Sequence, residues 1–246
     1  MKKFFTAIRL SVFFALFLFY PRALRADVTA SLIAAVKQDQ ETTALSLLAQ
    51  GANPNQADQY GYNATMWAVS RTSPAVLSAL LKAGGDIKDV PASFIPIIEA
   101  AKSGDAGNIQ LLASLGYNAN ATDTMGNTAI MYASVFGSTA AVQALLNAKA
   151  NINAQDNHGQ SALIKSAQNG NAQMVLFLIA NQATINAQDH FGYTALMWAA
   201  HNGQMSAVQA LLSKSASVTI TGLDGMTALA IAQKRGYPQI AQLIKG

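Results

Sequence analysis

Cysteine is absent from the 246-residue chain, which excludes a disulfide-stapled miniprotein and a thiolate metal site. Charge is scarce as well. Asp, Glu, Lys and Arg make up 11% of the sequence, less than half the usual ~25%, while 51% is hydrophobic, so an acidic or basic disordered tail is excluded too. Histidine occurs three times, at His158, His190 and His201. No zinc-protease, nucleophile-elbow, P-loop or dinucleotide-binding motif stands in a suitable context. The sequence therefore nominates no catalytic residue and no cofactor. His158 and His190 fall on adjacent finger tips, but with no thiolate and only scattered carboxylates they are read as contact residues rather than metal ligands.

What is present begins with an N-terminal segment unlike the rest. Lys2, Lys3 and Arg9 precede an apolar run from Leu10 to Tyr20, and Pro21 and the small-residue end Leu24-Arg25-Ala26 follow. This is the three-part layout of a secretory signal peptide, with cleavage expected after Ala26. The run has 11 residues, short of the ~20 that cross a bilayer, so a retained anchor is the weaker reading. The leader would carry away five cations, Lys2, Lys3, Arg9, Arg22 and Arg25, and no acid. Sixteen Lys and Arg against twelve Asp and Glu then become eleven against twelve, a net charge of −1. The basic balance of the whole chain thus gives no support to a nucleic-acid partner. The mature chain has no long apolar segment and is expected to lack a stable membrane anchor.

A 33-residue period governs the remainder. Gly126, Gly159, Gly192 and Gly225 recur at that step, as do Gly104, Gly137, Gly170, Gly203 and Gly236. A third series, Leu112, Leu145, Leu178, Leu211 and Ile244, runs in phase with them. Between the glycines lie segments such as Thr194-Ala195-Leu196-Met197-Trp198-Ala199, in which Thr or Ser caps a short Ala-rich helix and a Gly closes it. A second helix follows, with an apolar stripe such as Val208, Leu211 and Leu212 that it cannot bury alone. Turn-rich segments such as Ala150 to Asp156 connect the units as short fingers, and Asp58, Asp123, Asp156 and Asp189 recur there as turn hydrogen-bonding residues.

This pattern resembles the ankyrin repeat, with Ala129, Ala162, Ala195 and Ala228 where that family's signature has Pro, and Met131, Ile164, Met197 and Ala230 in place of its His. The resemblance implies an all-α solenoid of about seven helix-turn-helix units with hairpin-like fingers. The units fall near 27–58, 59–91, 92–123, 124–156, 157–189, 190–222 and 223–246. The end units are atypical, as caps are. The third carries Pro91, Ser93 and Phe94 where the others have Asp and Gly, and a distorted finger is expected there.

Residues shared by all units hold such a stack together, so partner information lies where units differ. On the resemblance, the recognition face consists of finger tips and the exposed sides of the first helices. Those places hold Tyr60, Tyr62, Phe136, His158, His190, Phe191, Tyr193 and His201, with amides such as Asn127, Gln160, Gln168, Asn169 and Asn202, an aromatic and amide-rich set with little charge. The alternative for Tyr60, Tyr62, Phe191 and Tyr193 is that they pack finger on finger. A second irregularity is a column four residues after the helix cap, holding Trp67, Glu99, Tyr132, Lys165, Trp198 and Ile231 in successive units. This register is expected to point inward, and an unpaired charge there would cost several kcal/mol. Either Glu99, Tyr132, Lys165 and Trp198 form a polar site in which Tyr132 bridges the two charges, or Lys165 reaches water past Trp198 while Glu99 caps irregular backbone.

The expected function is that of an exported, monomeric ankyrin-repeat protein of the Gram-negative periplasm, not an enzyme, which binds another protein in its groove as a scaffold or accessory factor. An inhibitor or immunity protein against a toxic periplasmic enzyme is one alternative. A carrier of haem or another small ligand is a second.

Overall fold

The structure is a computed structural model that describes residues 22–87, 90–91 and 93–246, with side chains from residue 28 onward. Fourteen α-helices and no strand occur among the described residues, apart from two isolated bridges between Thr122 and Thr128 and between Gln155 and Ser161. The helices fall into seven pairs. They are α1 (Arg22–Lys37) with α2 (Glu41–Ala49), α3 (Ala64–Arg71) with α4 (Pro74–Lys82), α5 (Pro96–Ser103) with α6 (Ala106–Ser114), and α7 (Ala129–Val135) with α8 (Thr139–Asn147). The remaining pairs are α9 (Ala162–Gln168) with α10 (Ala172–Ala180), α11 (Ala195–His201) with α12 (Met205–Ser213), and α13 (Ala228–Lys234) with α14 (Pro238–Lys245).

The chain forms two compact units, Met1–Asp89 and Val90–Gly246. The division falls in the third finger, where Pro91 and Phe94 replace the regular turn, Phe94 N–H donates to Pro91 O (2.8 Å) and the Phe94 ring is buried. The expected leader, residues 1–26, lies outside the described residues except for Arg22 to Ala26. Those residues open helix α1, which runs through the expected cleavage boundary.

Within the second unit the first helices pack in series, α5 on α7, α7 on α9, α9 on α11 and α11 on α13, and α6 packs on α8, α10 on α12 and α12 on α14. The core between the two layers is the in-phase series read from the sequence. Leu112, Leu145, Leu178 and Leu211 are wholly buried and Ile244 nearly so. Helices of seven to nine residues are too short to persist alone, so their stability rests on this stacked apolar face. Their ends are specified locally. Ser161, Thr194 and Thr227 hydroxyls accept from Ile164, Met197 and Ala230 N–H (3.3 Å each), and left-handed glycines follow the helix ends, as at Gly137 (φ 82°) and Gly170 (φ 74°).

The fingers are tied to each other by backbone and amide groups rather than by sheet. Asn157 N–H donates to Met125 O (3.0 Å), His190 N–H to His158 O (2.9 Å) and Leu223 N–H to Phe191 O (2.9 Å). At the finger bases, Asn120, Asn153 and Asn186 accept from the backbone N–H of Asn151, Thr184 and Ser217 (2.7, 2.8 and 2.9 Å). Gln155 and Gln188 side chains donate onward to Gln188 O and Thr221 O (3.0 and 3.1 Å). A sequence rich in Asn and Gln and poor in charge is thereby accounted for: these amides replace the water that finger backbones would otherwise need.

Candidate functional site

The site is built from one device repeated along the chain. In each regular finger the Asp uses Oδ1 to accept from the N–H groups two and four residues on, which closes the tip. Asp189, for example, accepts from Phe191 and Tyr193 (both 2.9 Å). Its Oδ2 is left to face the first helix, where the residue nine positions later meets it. Trp67 Nε1–H donates to Asp58 (3.1 Å), Tyr132 O–H to Asp123 (2.7 Å), Lys165 Nζ to Asp156 (2.7 Å) and Trp198 Nε1–H to Asp189 (2.6 Å). Where another residue stands at the position of this Asp, Val90 in the third unit and Gly222 in the seventh, the position nine later holds no such donor but Glu99 and Ile231.

This corrects the expectation that the column packs inward, which holds only at Ile231. Trp67, Glu99, Tyr132, Lys165 and Trp198 are half-buried under the fingers, while the burial in each first helix is carried by the three residues after the cap, as with Ala162, Leu163 and Ile164. Tyr132 does not bridge Glu99 and Lys165, because its hydroxyl is given to Asp123. Lys165 does not run past Trp198 to water, since its ammonium ends on Asp156 with 18% and 3% of the two side chains exposed. Among the described residues Glu99 caps no backbone group and instead pairs with Lys102 one turn along (2.8 Å).

Electrostatics follow from these contacts. Burial alone would raise the Asp156 and Asp123 carboxyls, but hydrogen bonds outweigh it, from Lys165 and the Gln160 and His158 N–H groups in one case and from Tyr132, Asn127 and Met125 in the other. Both lie below the usual carboxylate range. Tyr132 is pushed up to about 12 by burial, by its bond to Asp123 and by the charges of Asp123 and Glu99.

In the sixth unit the same device opens into a cleft of about 450 Å³, lined by Phe191, Tyr193, Trp198, His201, Leu223 and Asp224. Trp198 is the floor. Tyr193, His201 and Phe191 meet it edge to face with ring centres 5.4, 5.3 and 6.5 Å away. The next finger supplies the far wall. Its Asp224 accepts from the Tyr193 hydroxyl (2.6 Å), which holds that carboxyl below its usual range and, together with burial, raises Tyr193 to about 12. Phe191 is 55% exposed and Leu223 82%, so a broad apolar rim faces solvent.

Four residues expected from the sequence, Phe191, Tyr193, Trp198 and His201, are thus brought together. Leu223 and Asp224 were not foreseen; they belong to the following finger and enter through the bond from Leu223 N–H to Phe191 O. Tyr60 and Tyr62 belong to a corresponding site around Trp67 in the first unit of the fold, with the Tyr62 ring 5.2 Å from Trp67. Phe136 is 61% exposed at the end of α7, and His158 and His190 stand exposed on successive finger tips; none of the three lines the cleft.

The family model for ankyrin repeats matches residues 97–189 and 167–246, which together span more than half of the chain. The chain belongs to the ankyrin-repeat family. Ankyrin repeats serve in general as scaffolds for protein–protein contacts, and the aromatic cleft of this ankyrin-repeat chain lies where finger and first helix jointly meet solvent. No curated protein matches the sequence. No helix among the described residues is long and apolar enough to cross a membrane.

Proposed function

We propose that this ankyrin-repeat protein is exported by its N-terminal leader and binds another protein of the bacterial envelope through the finger side of its repeats, as an accessory or scaffolding factor without enzymatic activity. The observation that carries the reading is the cleft around Trp198. Its polar groups are already satisfied within the chain, yet Phe191 and Leu223 are left widely exposed at its rim. A fold does not need two large apolar side chains held out to water beside a preformed pocket, whereas a partner interface does.

The test pairs location with capture. Fractionation of cells is expected to recover a form beginning at Asp27 outside the cytoplasm. That form, carrying a C-terminal tag, is expected to capture one envelope protein that Phe191→Ala with Leu223→Ala no longer captures. Retention in the cytosol with the leader intact would remove the export reading. Capture unaffected by the double substitution would remove the cleft as the binding site. An enzyme silenced by the captured complex would identify an inhibitor rather than a scaffold.

A further inference from the structure

We infer that the Trp198 cleft is a receptor for a lysine side chain presented by the protein partner, an inference that rests on the binding role proposed above and gives it a chemistry. The argument comes from the chain's own repeats. Near the end of each first helix, thirty positions before the column residue of the next unit, stands one residue that in two units reaches over that column. In the first compact unit it is Lys37, whose ammonium lies 4.4 Å from the Trp67 ring centre and 5.7 Å from that of Tyr60. In the second it is Lys102, 4.9 Å from the Tyr132 ring centre. Both lie within the ~6 Å over which a ring face attracts a cation. At Trp198 the corresponding residue is Gln168, which carries no charge.

Thus the column has three aromatic residues, two of them covered by an internal ammonium. Among the described residues no ammonium or guanidinium lies over the third. The nearby cations do not lie over the ring: Arg235 Nε–H donates to His201 O (3.2 Å) and Lys234 Nζ rests against Met226 Sδ (3.9 Å), although their charges act on Tyr193 and Asp224 respectively.

The occupied site also shows what anchors the cation. Asp58 Oδ2 accepts from the Trp67 indole N–H and from Lys37 Nζ (2.7 Å), so a finger carboxylate already bonded to an indole still takes an ammonium. Asp189 holds the Trp198 indole in the same way, and Asp224 adds a second carboxylate on the cleft wall. A tryptophan face, two further aromatic edges and acid at the rim match an alkyl stem ending in a primary ammonium better than they match an apolar side chain. Lysine's four-carbon stem lies along apolar surface while its head seeks charge.

The experiment exploits the two tryptophans of the chain, whose indole N–H resonances separate Trp67 from Trp198 once Trp198→Phe assigns them. Residues 27–246 are titrated with Nα-acetyl-lysine amide and, in parallel, with Nα-acetyl-norleucine amide, which keeps the stem and lacks the charge. The lysine compound is expected to shift the Trp198 resonance saturably at millimolar concentration, and norleucine to leave it in place. Gln168→Lys, a favourable residue at a helix C-terminus, is expected to fold normally and to weaken the response about tenfold, as a tethered competitor does. Lys37→Gln is expected to give the Trp67 resonance a response it lacks in the native chain. Equal shifts with norleucine, an unmoved Trp198 signal, or a response unchanged by Gln168→Lys would overturn the lysine site. The two readings fail separately. Loss of the partner in Phe191→Ala with Leu223→Ala but not in Gln168→Lys leaves a protein-binding cleft without lysine recognition. A lysine response with no captured protein keeps the cation chemistry and discards the protein partner.

Discussion

Trp67 and Trp198 occupy the same place in repeats four units apart, under the same kind of finger and bonded to the same kind of Asp, yet they end in opposite states. Around Trp67 the chain completes its own site, with Lys37 between the ring and Asp58, Arg71 5.6 Å from the ring centre on the adjoining turn, and Tyr62 against the indole. Around Trp198 the aromatic walls are present but the internal cation is not, and the next finger contributes Leu223 and Asp224 instead. The column therefore has a structural use common to all regular repeats, fixing finger to helix through the Asp, and a second use that depends on whether the preceding helix ends in Lys. Substitutions that act on the first use change stability; those that act on the second change binding.

The largest effect is expected where the shared device is most buried. Asp156→Ala removes the partner of a Lys165 ammonium that is 18% exposed and also strips the acceptor from the His158 and Gln160 N–H groups. A loss of about 3 kcal/mol in urea unfolding is expected, the size associated with breaking a well-buried pair from one side. A loss under about 1 kcal/mol would mean that the finger is held by its backbone contacts alone and that the Asp is incidental.

Lys165→Met is expected to cost less, roughly 1–2 kcal/mol, because the carboxylate of Asp156 keeps its two backbone donors. The sharper comparison is Lys165→Trp, which replaces one donor with another that this register already carries at Trp67 and Trp198. If the Asp needs only a donor nine residues later, the Trp variant recovers most of what Met loses. If Lys165 is needed for its charge, the two variants unfold alike.

The same comparison can be made with pH. Asp58 is lowered from 3.8 to about 2, because hydrogen bonds from Lys37, the Tyr60 and Tyr62 N–H groups and Trp67 outweigh the opposing effect of burial. A carboxyl that is more acidic in the folded state gives stability that is complete above about pH 4 and lost as pH falls toward 2. Lys37→Gln removes the leading favourable partner, so the acid-dependent part of the stability is expected to shrink and to be exhausted at a higher pH than in the parent chain. Tyr132 has the opposite sign: raised from 10.0 to about 12, it supports the fold fully below pH 10 and loses that support as pH rises toward 12. Tyr132→Phe removes the hydroxyl, so the alkaline dependence measured by thermal unfolding is expected to flatten, and because the same hydroxyl lowers Asp123 the acid limb is expected to flatten as well.

These residues also mark how far the chain could be read without coordinates. The paired glycine series and the Leu series located the helix pairs and core, because spacing alone dictates which positions share a buried face. The aromatic set Phe191, Tyr193, Trp198 and His201 was likewise legible as surface that differs between repeats. The direction of the column was not. Counting four residues from the cap suggested an inward Leu-like position, whereas the finger folds back over that turn of the helix and covers it with Asp. Both in-phase series, the Asp residues and the column, were visible in the sequence. The link between them was the covariation: Trp, Tyr or Lys stands nine after each Asp, and Glu99 and Ile231 stand where Val90 and Gly222 replace it. The wall supplied by Leu223 and Asp224 had no such signal, since it arises from the contact of one finger with the next.

The smallest expected effect on stability is the most informative about function. Leu223 is 82% exposed and its side chain contributes to the cleft rather than the core, while its N–H, which a substitution leaves intact, ties the last finger to Phe191. Leu223→Ala should change unfolding by less than about 0.5 kcal/mol, as surface changes away from caps and cores do. If the cleft seats a lysine stem, the same change removes apolar wall along which that stem lies, and partner capture should weaken severalfold at unchanged stability. Tyr60, 67% exposed beside the self-occupied Trp67 site, is the internal control. Tyr60→Ala is equally superficial, but Lys37 already fills the position a partner would need, so capture should be unaffected. Equal losses from both would place the binding surface on exposed aromatic and apolar tips in general, and not on the one aromatic column residue that no cation among the described residues covers.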